Sequence, residues 1–229
     1  MGSEMCIRDS NLALKVSWDR WDTCSLCEQL YHGVVRCALG WGCWKTYLCR
    51  PETDEVRCNA MTQLGNGLAD AEHHEDALSV QEAELAMMRR IDAPEGIILD
   101  VLSNLANTYD SLGRSEEALL LKRDVYSTTL KLHGEEHEDT LLEANNYAAS
   151  LRDLRRFEEA KSVLRKTMPM ARRVFGNCND TTLKMRKIYA CALFEDPTAT
   201  LNDFREGVAT FEDTERTARR VLGLSLIHI

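Results

Sequence analysis

Two cysteines separated by two residues are the first groups in this chain able to do chemistry. Cys24-Ser-Leu-Cys27 is a compact thiolate pair of the kind that grips zinc in a tight turn. With His32 and Cys37 it also spells C-x2-C-x4-H-x4-C, four ligands for one tetrahedral ion and a spacing used on single-stranded nucleic acid. Glu28 and Tyr31 stand where such knuckles carry glycine. Three readings follow: half of a larger zinc site whose other ligands lie upstream, a complete knuckle, or metal-free buried thiols. Cys37, Cys43, Cys49 and Cys58 are most simply small apolar core residues. Further along, His133-Gly-Glu-Glu-His137 spells H-x-x-E-H, an inverted zinc-protease motif that needs both histidines on one helix. Gly134 is expected to end a helix between them, and His73-His74 falls in a turn. No glycine-rich phosphate loop and no nucleophile-base set is present, so no catalytic residue is assigned to this stretch of protein.

The elements that would position such groups repeat. LSNLANTYDSLGRSEEAL from Leu102 returns as EANNYAASLRDLRRFEEA from Glu143, in register at a period of 42 with Asn104 on Asn146, Leu112 on Leu154, Glu116-Glu117-Ala118 on Glu158-Glu159-Ala160 and Gly134 on Gly176. A fixed period with alanine at a fixed phase means stacked two-helix units. The first helix of the clearest unit is expected from about Glu95 to Leu112, with Leu102, Leu105, Ala106 and Tyr109 on one face. Gly113 makes the turn, and Ser115 reads as the N-cap of the second helix, with Glu116 and Glu117 in its first turn. In the next unit Arg155 replaces that glycine, and Pro169 predicts a kink. An earlier unit matches at an offset of 41, through Leu64, Asn66, Glu75, Ala77 and Leu78, weakened by Gly65 and Gly67 at about 1 kcal/mol each. A fourth begins at LKMRKIYACAL, and Asp196-Pro197 forces a longer turn around Phe194 to Thr200. Gly33 to Arg50 reads as a further helix with Val34, Val35, Ala38, Trp41, Trp44 and Leu48 as its apolar face.

The expected organisation is a front segment at 11–50 and an array at 51–223, with units at about 52–91, 92–133, 134–175 and 176–223. Residues 1–10 and 224–229 read as translations of a sequencing adapter and its reverse complement, so they are left out of fold reasoning. The fold class is all-α, a right-handed α-solenoid whose hairpins bury their apolar faces only against neighbours. Net charge of -9 over 229 residues excludes general nucleic-acid binding. No apolar run reaches the roughly 20 residues of a membrane span, so no membrane partner is expected. Charge changes sign along the array: 21 acidic and 7 basic residues from Glu52 to Asn145, then 11 basic and 4 acidic from Arg152 to Lys187. That asymmetry could orient a charged partner. Absence of a secretory signal points to a cytoplasmic location with reduced thiols.

LSNLANTY, EANNYAAS, SEEAL, FEEAK and LHGEEHEDT together resemble the tetratricopeptide repeat, in its 42-residue kinesin-light-chain-like variety, over roughly Glu52 to Gly223. Glu138 replaces the usual proline of the link, and NCND replaces the link itself near Asn177. The resemblance implies a groove lined by the inner faces of first helices. By register its lining would be Asn66, then Asn104 and Asn107, then Asn145, Asn146 and Arg152, then Lys184 and Lys187. Asparagine offers a donor and an acceptor, so such a row suits the backbone of an extended peptide. The plain alternative is that the asparagines bond one another or water. Arg152, Lys184 and Lys187 would attract carboxylates, hence an acidic partner. The lysine-asparagine spacing of a chaperone-tail clamp is not met, because Thr62 and Ser103 stand four before Asn66 and Asn107.

At the front, Trp18, Trp21 and Cys24-Ser-Leu-Cys27 resemble the last ligand pair of a RING-CH type zinc domain. That implies zinc in an intact parent, held in part by Cys24 and Cys27, and a parent acting as a ubiquitin ligase whose repeats choose the substrate. The two function readings are therefore a non-catalytic scaffold for a peptide or protein segment, and the recognition fragment of such a ligase.

Overall fold

A computed structural model describes Trp18 and residues 20–222; both adapter-like ends lie outside the described residues. From Gly33 onward the described residues form nine helices: α1 (Gly33–Tyr47), α2 (Glu55–Asp70), α3 (His74–Arg90), α4 (Glu95–Ser111), α5 (Ser115–His133), α6 (Glu138–Asp153), α7 (Phe157–Val174), α8 (Asp180–Glu195) and α9 (Leu201–Leu222). Among the described residues the only β pairing is one isolated bridge, Thr23 to Leu30. Each helix packs on the next within two compact units, Met1–Leu112 and Gly113–Ile229. The division falls between α4 and α5. The fold class is an all-α helical-hairpin solenoid, and no described helix is long and apolar enough to cross a membrane.

The helix boundaries follow from local chemistry. Asp54 caps α2 by accepting from the Val56 N–H at 2.9 Å, and Asn179 caps α8 by accepting from Thr181 at 2.8 Å. Second helices of the hairpins start with paired acids, Glu75-Asp76, Glu116-Glu117 and Glu158-Glu159, and end with bases, so both ends complement the helix dipole. Ser115 is not the N-cap. Arg114 holds that place and Ser115 is the first helical residue; Arg114 pairs with Glu117 at 2.6 Å, as Arg156 pairs with Glu159 at 2.6 Å one period later. A side-chain ion pair across the first turn has replaced the hydroxyl cap. Helix α7 is continuous across Pro169.

Turns repeat as faithfully as helices. Glu72, Gly113 and Arg155 adopt left-handed backbone at φ 64°, 75° and 59°, and Asp92, Gly134 and Gly176 do so in the links at φ 53°, 88° and 87°. Non-glycine residues in this region cost roughly 1–2 kcal/mol, so the hairpin geometry is imposed on Glu72, Asp92 and Arg155 by the packing around them.

In the first unit Leu64, Leu68 and Ala77 form a core with Trp44 and Val80 packed on it. Helices α1 and α2 cross at glycines. A methyl group on Gly40 would stand 2.8 Å from the Gln63 carbonyl oxygen, and one on Gly67 2.8 Å from that of Arg36. This corrects the expected apolar face of α1. Val34, Val35, Ala38, Trp41 and Leu48 are exposed, and the helix packs through Gly40, Cys43 and the half-buried Trp44. In the second unit Leu141, Ala144, Ala148, Leu164, Met185 and Leu193 are all fully buried. Ala77, Ala118 and Ala160 occupy equivalent interior positions, each 0% exposed, where any larger side chain would separate the helices. Thr140 donates to the Thr129 carbonyl and Thr182 to that of Ala171, tying successive hairpins at the same phase.

Candidate functional site

The first unit holds a cleft of about 350 Å³ between α2, α3 and α4. Asn66 of α2 and Asn104 and Asn107 of α4 line it together, with Arg36 and Ser111 at its margins. Its most informative wall residue is Gln81 of α3, which is 2% exposed and whose Oε1 has no hydrogen-bond partner. An unpaired buried amide oxygen costs about 1–3 kcal/mol, so this cleft presents unspent acceptor capacity as well as the donors of three asparagines. Register predicted the asparagines. Gln81 was missed, although it sits where α5 carries Lys122, another buried polar residue on a second helix, bonded to Ser150 at 3.0 Å.

The remaining predicted lining lies in the second unit. Asn145 is half-buried and its Oδ1 has no partner; Asn146 donates a long 3.4 Å bond to Glu143. Arg152 pairs with Asp153, and Lys184 with Asp180, each within its own helix, while Lys187 is exposed. These five residues are on the first helices α6 and α8, but the basic members are partly neutralised by helix neighbours.

Another cleft of the first unit, about 520 Å³, is lined by apolar side chains including Met88, Ile97 and Val101, with Thr62 on its wall. Thr62 donates to the carboxylate of Glu84, a residue 1% exposed whose other oxygen has no partner. Burial pushes this carboxyl up to about 7 against the bond from Thr62.

At the front, Cys24 and Cys27 lie on a tight turn. Glu28 N–H donates to the Cys24 carbonyl at 2.8 Å, Cys24 N–H to Gln29 at 2.9 Å, and the Thr23–Leu30 bridge closes the loop. Backbone N–H groups of Leu26 and Cys27 aim at the Cys24 sulfur and hold its pKa below the usual thiol value. Glu28 takes the left-handed φ of 56° that a glycine after the second cysteine would take. The turn thus fits half of a tetrahedral zinc site. Among the described residues no three His, Cys, Asp or Glu converge to hold a metal, so the four-ligand set Cys24, Cys27, His32 and Cys37 is not assembled: His32 immediately precedes α1 and Cys37 is carried along it. Cys43 and Cys58 are buried and Cys37 half-buried, whereas Cys49 is exposed, correcting its expected place in the core. Burial pushes the Cys43 thiol up to about 12. His133 ends α5, Gly134 breaks the helix and His137 caps α6, so the H-x-x-E-H histidines occupy different helices, their rings stacked at 4.4 Å.

No curated protein matches the chain. Nearly identical TPR-like repeats of a Podosopora anserina protein designated a kinesin light chain are similar in structure in two forms. A singly substituted form has TM-score 0.62 and 16% identity, covering 83% of this chain and 86% of that one. The other has TM-score 0.60 and 17% identity, covering 82% and 85%. BtubC (BKLC) from P. vanneervenii is similar at TM-score 0.68 and 15% identity, over 81% of this chain and 73% of that one. Residues 98–139 and 144–180 match the family model described as tetratricopeptide repeat, so these two stretches carry that repeat on a helical-hairpin solenoid fold.

Proposed function

We propose that the protein is a non-catalytic scaffold that holds an extended peptide or protein segment against the first helices of its hairpins. Tetratricopeptide repeats generally act as protein-interaction scaffolds. The observation that carries the finer reading is the amide cleft, where Asn66, Asn104 and Asn107 stand over the unpaired oxygen of Gln81. Peptide N–H and C=O groups are the ligand chemistry that satisfies such a wall without regard to side-chain sequence. Within the second unit, the exposed Lys187, with Arg152 and Lys184, favours an acidic segment. Proteins captured by the full chain should be lost with Asn104→Ala and Asn107→Ala together, circular dichroism being unchanged; retention of every captured protein removes the cleft from the reading.

The turn at Cys24 favours a second reading, in which these cysteines are half of a zinc site in a longer ubiquitin-ligase parent. Zinc would there be structural, holding the front of the chain in register. On a chain extended upstream of Asn11, near-stoichiometric zinc that is lost with Cys24→Ser supports this reading, and absence of zinc removes it.

A further inference from the structure

The second unit contains a feature the scaffold reading does not use. Two adjoining clefts of about 290 Å³ each lie between α7, α8 and α9 and share Arg172 and Arg186 as a common wall. Arg165 lines one of them, Arg216 and Arg220 the other. Five guanidinium groups thus meet two carboxylates, Glu206 and Asp213, on a chain whose net charge is -9.

Arg186 is the built part of this site. It is 8% exposed, and it donates through Nη2 to Asp213, itself more than half exposed on α9. Arg216 approaches the other Asp213 oxygen at 3.9 Å. Arg172 is oriented by donating from Nε to Asn177 at 2.8 Å, and Arg165 by donating to the Tyr189 hydroxyl at 2.9 Å, which donates in turn to Glu206 at 2.7 Å. Neither Arg172 nor Arg220 pairs with a carboxylate among the described residues. The arginines come from three helices and are held by side chains of α8, α9 and the link between α7 and α8, and positive charge remains in excess.

We propose that this cleft binds a phosphate monoester, presented by a phosphoserine or phosphothreonine of a partner polypeptide. A single carboxylate carries one charge and leaves most of the excess unmatched. A phosphate monoester near neutral pH carries about -1.5 to -2 and three acceptor oxygens, which several guanidinium forks can share. The clefts have room for one such group and for part of the chain that bears it. The site draws on α7 and α9, the second helices of their hairpins, together with Arg186 and Tyr189 of α8, and shares no residue with the amide cleft in the first unit.

The test is calorimetric titration of the full chain with a short peptide carrying a central phosphoserine, beside its serine and aspartate counterparts and inorganic phosphate. The phosphopeptide is expected to bind at least about tenfold more tightly than the serine peptide, more weakly at pH 5.5 than at 7.5 as the phosphate takes up a proton, and about tenfold more weakly to Arg172→Gln/Arg220→Gln. Both substituted residues are exposed, so the thermal transition should be unchanged. Asn104→Ala/Asn107→Ala should leave phosphopeptide affinity untouched, which separates this site from the scaffold groove. Equal affinity for serine and phosphoserine peptides, or full affinity in the double arginine variant, overturns the proposal. Inorganic phosphate binding as tightly as the phosphopeptide overturns the assignment to a partner chain.

Discussion

Two buried carboxylates, one in each unit, are treated in opposite ways. Glu84 in the first unit has a single donor, Thr62, and an orphan oxygen, and burial raises its pKa to about 7. Asp196 in the second accepts from Lys161 at 2.7 Å and from both the N–H and the hydroxyl of Thr198, and these bonds hold it well below the usual carboxylate range. Lys161 is itself buried, and although burial alone lowers its pKa, Asp196 and Glu158 outweigh that and raise it. The difference teaches that burial of a charge is tolerated in this fold in two forms, neutralised by a proton or locked by a cation. Only the second ties separate elements together, here α7 to the turn before α9.

Breaking the lock should have the largest effect. Lys161→Ala leaves Asp196 buried without its cation and is expected to destabilise by about 3 kcal/mol in urea unfolding, whereas Lys161→Met with Asp196→Asn should cost less than the single change. Because the Asp196 pKa is depressed in the fold, its contribution is present above the unfolded value of about 4 and is lost as pH falls through the folded one. Glu84 reverses that sign. Its folded pKa of about 7 lies above the unfolded value, so its contribution is fully present in acid and is lost as pH rises from about 4.5 through 7. Glu84→Gln, which keeps an acceptor for Thr62, should therefore gain about 2–3 kcal/mol over the parent at pH 8 and little at pH 4. A gain independent of pH would show that the proton is not the cause.

Smaller effects sharpen the contrast between the units' helix contacts. Gly67→Ala should cost about 2 kcal/mol, since the added methyl meets the Arg36 backbone and outweighs alanine's helix preference. Hydrogen exchange of α1 would rise first. Arg155→Gly should gain about 1 kcal/mol by relieving left-handed backbone, and Gly113→Ala should lose a similar amount. Midpoints of chemical unfolding decide both.

Much of the array was legible because its signal is carried by large side chains at fixed phase. Leu64, Leu105, Ala118, Ala160 and the long turn after Glu195 stand where periodicity put them. The face of α1 was not legible, because Gly40 and Gly67 act by what they lack, and a count of apolar side chains favours Trp41 over a glycine. Gly67 read as a weakness is a contact. The cap at Arg114 was hidden for a related reason, since serine outranks arginine at caps until the Glu117 partner is seen. In the clefts, Asn66, Asn104 and Asn107 came from register, but Gln81 and Arg186 needed the structure: nothing in one sequence separates the buried cation Arg186 on α8 from the solvated cation one residue on at Lys187.

In the turns and links from Glu72 to Gly176 a lone left-handed residue sets the bend, yet between α8 and α9 no described residue has positive φ. There Asp196 organises the bend through its own side chain, reaching forward to Thr198 and back to Lys161. A loop of altered length is thus accommodated by one acidic group rather than by a prescribed backbone shape. Duplicated segments that join out of step need not abort the stack, and an array built this way can lengthen through imperfect copies.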